Sequence, residues 1–370
     1  MTGRGGGYEA AGVDYEALDE AKRAAMSLAL STSSLMAAGG ARAIDASRGE
    51  PAFAFELAGR TFAFVVEGLG TKSMIARQVL ERQGIDRFAD VAYDTVAAIL
   101  NDLCCLGALP LVVNAYFATG SSRWYARGER GRSLVEGWRR ACVDASCAWG
   151  GGESPSLSGL VSEQEIELAG AAVGAVPRGR AAILGEELAP GDEIVLVASS
   201  GLHANGASLA RLIAERLPEG YATPMPGGAT FGAALLEPST MYVGLIRELL
   251  AQRIPLTYIS HITGHGLLKL MRRPVDLRYR ISKLPEEVPE VLSFLAAQAD
   301  MDPEEAHRTF NMGAGLALYA PRGSAADIVE VASRLSLKAW LAGAVEEGPR
   351  EVILEPLGVR YGGEQLELSA

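Results

Sequence analysis

The chain has 370 residues, which at about 150 residues per domain means two domains or one large one. It is 49% hydrophobic and 21% charged, so it can bury a sizeable core and is neither disordered nor fibrous. Thirty-four Lys and Arg against 45 Asp and Glu give a net charge of −11, which argues against non-specific binding to nucleic acid or anionic membranes and leaves room for a local basic pocket.

Met1 to Gly12 is Gly-rich and lacks the apolar core of a signal peptide. Leu18, Ala21, Ala25 and Leu28 recur at helical spacing, predicting a helix over 14–38 that stops at Gly39-Gly40. Phe53, Phe55 and Leu57, then Phe62, Phe64 and Val66, alternate around Gly59-Arg60 and predict a hairpin. Helices follow over 72–83, 91–106 and 129–148, with a buried strand near 109–117 and another over 165–176. Val176-Pro177-Arg178-Gly179 reads as a break, giving domains 1–177 and 178–370.

The second half alternates strands (193–198, 277–282, 311–319, 338–344, 350–356) with helices (206–216, 231–252, 287–299, 323–334). Interleaving of this kind indicates α/β or α+β architecture. Four cysteines without a Cys-x-x-Cys pair predict reduced thiols and a cytoplasmic chain. No run approaches the ~18 apolar residues of a membrane helix.

Six segments could carry chemistry. Glu67-Gly68-Leu69-Gly70-Thr71-Lys72 lies at a strand-to-helix junction, where two glycines, free amides and a lysine suit a phosphate; an ordinary tight turn with a solvated lysine is the equal alternative. Asp94, Asn101 and Asp102 sit on an apolar helix, where buried carboxylates need a partner: Mg²⁺ with phosphates, or more simply a cap or ion pair. Gly150-Gly151-Gly152-Glu153 follows a helix and sets one acid beside permissive backbone. Ser199 to Gly206, His261 to Gly266 and Arg308 to Gly313 flank predicted elements. The chain's four histidines (His203, His261, His265 and His307) all fall in or beside these last three segments.

Taken in order, the motifs resemble the aminoimidazole ribonucleotide synthetase (phosphoribosylformylglycinamidine cyclo-ligase) family from roughly Val13 to Pro356. They are Gly68-x-Gly70-Thr71-Lys72, Asn101-Asp102-Leu103, Ala118-Thr119-Gly120, Gly151-Gly152-Glu153, Ser199-Ser200-Gly201-x-His203-x-Asn205-Gly206, His261-x-Thr263-Gly264 and Arg308-Thr309-Phe310-Asn311-x-Gly313. The last of these favours the cyclo-ligase branch over its superfamily relatives. The resemblance implies an N-terminal domain that pairs with its copy in a homodimer to form a barrel-like sheet, and a C-terminal α/β domain. It implies an ATP-dependent C–N ligase of purine biosynthesis, with ATP and Mg²⁺ between the domains and a small nucleotide substrate.

By the same resemblance, Gly68, Gly70, Thr71, Lys72, Asn101 and Asp102 would hold ATP, and Glu67, Asp94 and Asp102 would hold Mg²⁺. Gly152, Glu153, Ser200, Gly201, His203, Asn205, His261 and Thr263 would face the substrate. Lys72, His203 and Asp102 would be catalytic, with His203 moving a proton. The chain departs from the family in having Glu67 and Ala115 where Asp is usual, His265 for a glycine, and Ser47-Arg48-Gly49-Glu50-Pro51 for a glycine-rich segment. The alternatives are a paralogue using another amide, carboxylate or phosphate, and a non-catalytic nucleotide-binding scaffold.

Overall fold

A computed structural model describes residues 24–366. The part of the first predicted helix before residue 24 lies outside the described residues. Residues 24–31 are helical (α1), and a 3₁₀ turn over Ser33–Gly39 ends at Gly40, whose φ of 72° suits glycine.

The first half builds a six-stranded sheet from β1 (Ala41–Ile44), β2 (Phe53–Leu57), β3 (Arg60–Gly68), β4 (Leu109–Thr119), β5 (Ala148–Glu153) and β6 (Ile166–Ala175), in the order β1-β2-β3-β6-β4-β5. Only β4 and β5 run parallel. Helices α2 (Lys72–Gln83), α3 (Phe88–Cys104) and α4 (Arg130–Asp144) belong to this half. The inner face meets α3, which is buried along nearly its whole length and is why its residues are apolar on every side.

The second half is a seven-stranded sheet of β7 (Glu193–Ala198), β8 (Tyr258–His261), β9 (Leu277–Ile281), β10 (Ala314–Ala320), β11 (Ala339–Glu347), β12 (Glu351–Leu354) and β13 (Val359–Gly362), in the order β13-β12-β9-β11-β7-β10-β8. Its helices are α5 (Ala207–Arg216), α6 (Phe231–Leu235), α7 (Val243–Ala251), α8 (Glu290–Gln298), α9 (Pro303–Thr309) and α10 (Ala325–Arg334). Strands β8 and β13 and helix α9 are additions to the sequence reading.

Three expectations change. The helix predicted over 231–252 is two helices, because the stretch between them, which contains Pro238, turns its backbone toward α3. Helix α4 ends at Asp144, and the glycine triplet is not a helix stop but the edge strand β5. Glycine is required there: a Cβ on Gly152 would stand 2.0 Å from the Ala115 carbonyl oxygen across the pair. Finally, β4 is buried on one face only. Leu111 and Tyr116 are exposed, while Val113, Ala115 and Phe117 face the core.

Candidate active site

The two halves meet along a polar seam between α2 and α3 on one side and the loops 199–206, 236–242 and 261–272 on the other. Lys72 opens α2 and is wholly buried, its ammonium paired with the equally buried Asp94 carboxylate and donating to the His203 carbonyl at 2.9 Å. The other Asp94 oxygen accepts the Ser239 amide at 2.6 Å. Burial pushes the Asp94 carboxyl up, and the Lys72 ammonium opposes that shift. In this structure both Asp94 oxygens are engaged within the protein, one by Lys72 and one by the Ser239 amide. Lys72 is likewise an internal counter-ion in this arrangement rather than a cation turned toward phosphates.

Asn101 is engaged within the protein in the same way. Its amide donates to the Thr240 carbonyl at 2.9 Å and its oxygen accepts the Tyr242 amide at 2.8 Å. It fastens α3 to the loop ahead of α7.

His203 stands at φ 60°, a left-handed conformation for a buried non-glycine residue. Its Nε2 accepts the Ser200 amide at 3.2 Å and the Thr240 amide at 3.4 Å. The proton therefore sits on Nδ1, which is buried without a partner. Burial, then the neighbouring His261 and Lys72, holds its pKa well below the usual histidine value. With Nε2 occupied by amides from two loops, the ring orders 199–206 and 236–242 in this structure. Ser200 donates to the Pro238 carbonyl at 2.6 Å, and Asn311 grips Ser199 and the Gly201 carbonyl at 2.7 and 2.9 Å. The Arg308 to Gly313 motif thus acts through Asn311 as a loop anchor.

The open part of the seam lies around Asp102. His261 donates from Nδ1 to Asp102 Oδ1 at 2.6 Å, which fixes the ring and leaves Nε2 as its acceptor end. Glu67, at the end of β3 and accessible to solvent, is pushed up by burial and by the Asp102 charge, so the two carboxylates share one field. Lys269, which sequence reasoning missed, is 8% exposed and has its pKa lowered to about 7 by burial and by Arg272, against the pull of Asp102, Cys105 and Glu67. Its signal, a lysine in the apolar run Leu267 to Met271, was present but unread.

Asn205 stands beside Gly264, since a Cβ there would lie 3.3 Å from the Asn205 oxygen, so Asn205 and the Thr263 turn are neighbours. Gly68 and Gly70 are exposed, and Thr71 reaches Ser208 on α5 at 3.3 Å. Gly152 and Glu153 are not brought to the seam. Gly68, Ala169, Tyr116 and Glu153 lie in register across four strands, which puts Glu153 three spacings, about 14 Å, from Gly68.

A cavity of about 390 Å³ lies against Gly70 and Thr71, and one of about 740 Å³ against Ser199, Ser200 and Gly313. Neither is lined by Asp102, His261 or Lys269, and the placement of the ionisable groups is the better guide to the chemistry. Among the described residues no three Asp, Glu, His or Cys side chains gather into a closed metal cage. Glu67 and Asp102 nonetheless suit Mg²⁺, which is held by one or two carboxylates with phosphates and water completing its shell.

The departures also find places. Ala115 is buried in the core of the first half. His265 takes φ 69°, the conformation for which a glycine is the ordinary choice. Glu50, from the segment that replaces the glycine-rich one, accepts the Tyr258 hydroxyl at 2.8 Å and lies 3.7 Å from Arg272, which also donates to the Gly49 carbonyl at 2.7 Å. That segment has become a clasp between the halves.

The chain is a mixed α/β protein of two halves, each built on its own sheet, with ionisable side chains gathered where the halves meet. Residues 49–176 match the AIR synthase related protein, N-terminal domain, and residues 189–355 match the AIR synthase related protein, C-terminal domain. The chain belongs to the AIR synthase related family. It is 38% identical over 294 residues to a phosphoribosylformylglycinamidine cyclo-ligase of Anaeromyxobacter dehalogenans (strain 2CP-1 / ATCC BAA-258), covering 78% of this chain and 81% of the relative. It is 30% identical over 357 residues to the protein of the same name from Carboxydothermus hydrogenoformans, covering 94% and 98%.

Among solved structures, a HypE–HypF complex matches with a TM-score of 0.59 at 16% identity, covering 84% of this chain and 92% of that one. AaThiL complexed with AMPPCP and TMP matches with a TM-score of 0.57 at 17% identity, covering 85% and 90%. These two establish the fold.

Proposed function

We propose that this protein is an ATP-dependent cyclo-ligase that converts formylglycinamidine ribonucleotide to aminoimidazole ribonucleotide in purine biosynthesis. The observation that carries the reading is the likeness to cyclo-ligases, which extends over both walls of the seam holding Glu67, Asp102 and His261. In the reaction ATP phosphorylates the formyl amide oxygen, the amidine nitrogen attacks the activated carbon, and phosphate leaves as the ring closes. Glu67 and Asp102 would hold Mg²⁺, which would supply charge neutralisation on the triphosphate. His261, oriented by Asp102, presents Nε2 to take a proton from the attacking nitrogen. The amides around Gly70 face the phosphates, and Asn205 with Thr263 faces the substrate nucleotide.

The division lies at 177/178, and the protein works in the cytoplasm as a homodimer joined through the outer face of the six-stranded sheet. That face is apolar: Phe64 is 40% exposed and Val66 63%. Glu153, remote from Gly68 within one chain, is placed to serve a partner's cleft. No helix among the described residues is long and apolar enough to cross a membrane.

The test is to incubate the purified protein with formylglycinamidine ribonucleotide, ATP and Mg²⁺, and to follow aminoimidazole ribonucleotide and ADP together. Equal formation of both is the expected result. ADP without the ring product, or no turnover at all, overturns the assignment.

A further inference from the structure

Asn101 and Asp102 are neighbours near the end of α3, and both lead to one imidazole ring. Asp102 holds it directly, accepting the His261 Nδ1 proton at 2.6 Å. Asn101 holds it through Tyr242, whose amide donates to the Asn101 oxygen at 2.8 Å. The Tyr242 ring stands edge-on to His261, with centroids 6.3 Å apart and an interplanar angle of 75°. Both side chains are buried. One hydrogen bond fixes the position of Nδ1 but leaves the imidazole free to tilt about that contact. An aromatic ring packed beside it at this distance removes the freedom and so aims Nε2.

Tyr242 is itself anchored at both ends. Beyond the amide, its hydroxyl donates to the Ala198 carbonyl at the end of β7, at 2.9 Å. Burial pushes the phenol up, so it stays protonated as a donor. Gly315 on β10 makes the room: a Cβ there would stand 2.0 Å from the Tyr242 oxygen and 2.9 Å from His203 Cε1. Gly315 does not take a positive φ, so space rather than backbone freedom calls for glycine. The next residue, Leu316, pairs with His261 across β10 and β8, and the Gly315 carbonyl accepts the Ile262 amide at 2.9 Å. The slot that holds the hydroxyl therefore abuts the strand that carries His261.

We propose, on the reading of His261 as the proton acceptor, that Tyr242 is a positioning residue for ring closure, holding the imidazole so that Nε2 meets the attacking amidine nitrogen. The proton passes from that nitrogen to Nε2, and the Tyr242 hydroxyl keeps its own proton on the Ala198 carbonyl.

The experiment compares the native full chain with Tyr242→Phe, Gly315→Ala and the double variant. Steady-state turnover of formylglycinamidine ribonucleotide with ATP and Mg²⁺ is measured beside thermal melting. Exchange of the His261 Nδ1 proton with water is followed by NMR on substrate-free protein labelled at histidine nitrogen. Tyr242→Phe keeps the ring volume and frees only its outer end. It should lower kcat about 10-fold, leave KM for both substrates within about twofold, and speed exchange of the Nδ1 proton. Gly315→Ala should act in the same direction by driving the hydroxyl from its slot, and the double variant should lose less than the product of the two single effects. If Tyr242 only supported the fold, Tyr242→Phe would lower the melting temperature while kcat per folded molecule and the Nδ1 exchange rate stayed native. That result overturns the inference and leaves His261 as the proton acceptor. A His261→Gln protein with native kcat overturns both.

Discussion

At the scale of single residues, the seam is governed by the cost of burying charge. Lys72 and Asp94 are both inaccessible to solvent. Breaking such a pair by removing one partner leaves an uncompensated charge and costs about 3–5 kcal/mol. Lys72→Met is therefore expected to destabilise the protein by that amount in urea denaturation, and the double variant Lys72→Met/Asp94→Leu to recover most of it. A Lys72→Met protein with native stability and lost activity would return Lys72 to the ATP site. His203 supplies a second test. Its pKa is lowered in the folded state, so the unfolded chain binds a proton that the folded one refuses once the pH falls below about 6.5. Stability should fall as the pH drops below that value, and His203→Gln should flatten the acid limb. The sequence placed these side chains in one neighbourhood, but it could not tell a ligand from a counter-ion. That distinction depends on which backbone amides arrive from the other half of the chain, as Ser239 does at Asp94.

At the scale of elements, legibility followed periodicity. The hairpin, β6 and β9 could be read because each carries its own alternation, and β7 because it is a short, continuous apolar run. The segment 231–252 misled because its apolar residues suit one continuous helix, whereas the backbone of 236–242 is claimed by Asp94 and Asn101 from α3. Strand β5 misled for the opposite reason: glycines hide a strand whose partner demands their lack of side chain. Asn101 is one of the joints between the two halves. Asn101→Ala would leave the Thr240 carbonyl and the Tyr242 amide unpaired in a buried site, at about 1–3 kcal/mol each. Urea denaturation should show a loss of about 2–6 kcal/mol, together with faster amide exchange over 236–242. Loss of nucleotide affinity at unchanged stability would instead favour the cofactor role that the motif suggested.

At the scale of the whole molecule, the outer face of the six-stranded sheet needs a cover. Phe64 pairs with Val173 and Val66 with Ala171 across β3 and β6, while Tyr116 on β4 continues the row beside Ala169. Helix α3 packs against β3, β4 and β6, while Phe64, Val66 and Tyr116 stay exposed. An apolar sheet face of this kind is the mark of an interaction surface. A second copy fits because one surface meeting itself about a twofold axis closes the assembly. Burying a Phe or Val side chain contributes about 1.5–3 kcal/mol, so a few such residues from each copy suffice to hold a dimer at micromolar concentration. Sedimentation equilibrium should report twice the chain mass for the native protein. Phe64→Asp and Val173→Asp should each give a folded monomer, because a charge at the centre of the face must be desolvated on pairing. If Glu153 serves the partner's cleft, those monomers should lose turnover while keeping their circular dichroism. A native protein that sediments as a monomer, or Asp variants that remain dimeric, would remove this face from the interface and require another route for Glu153.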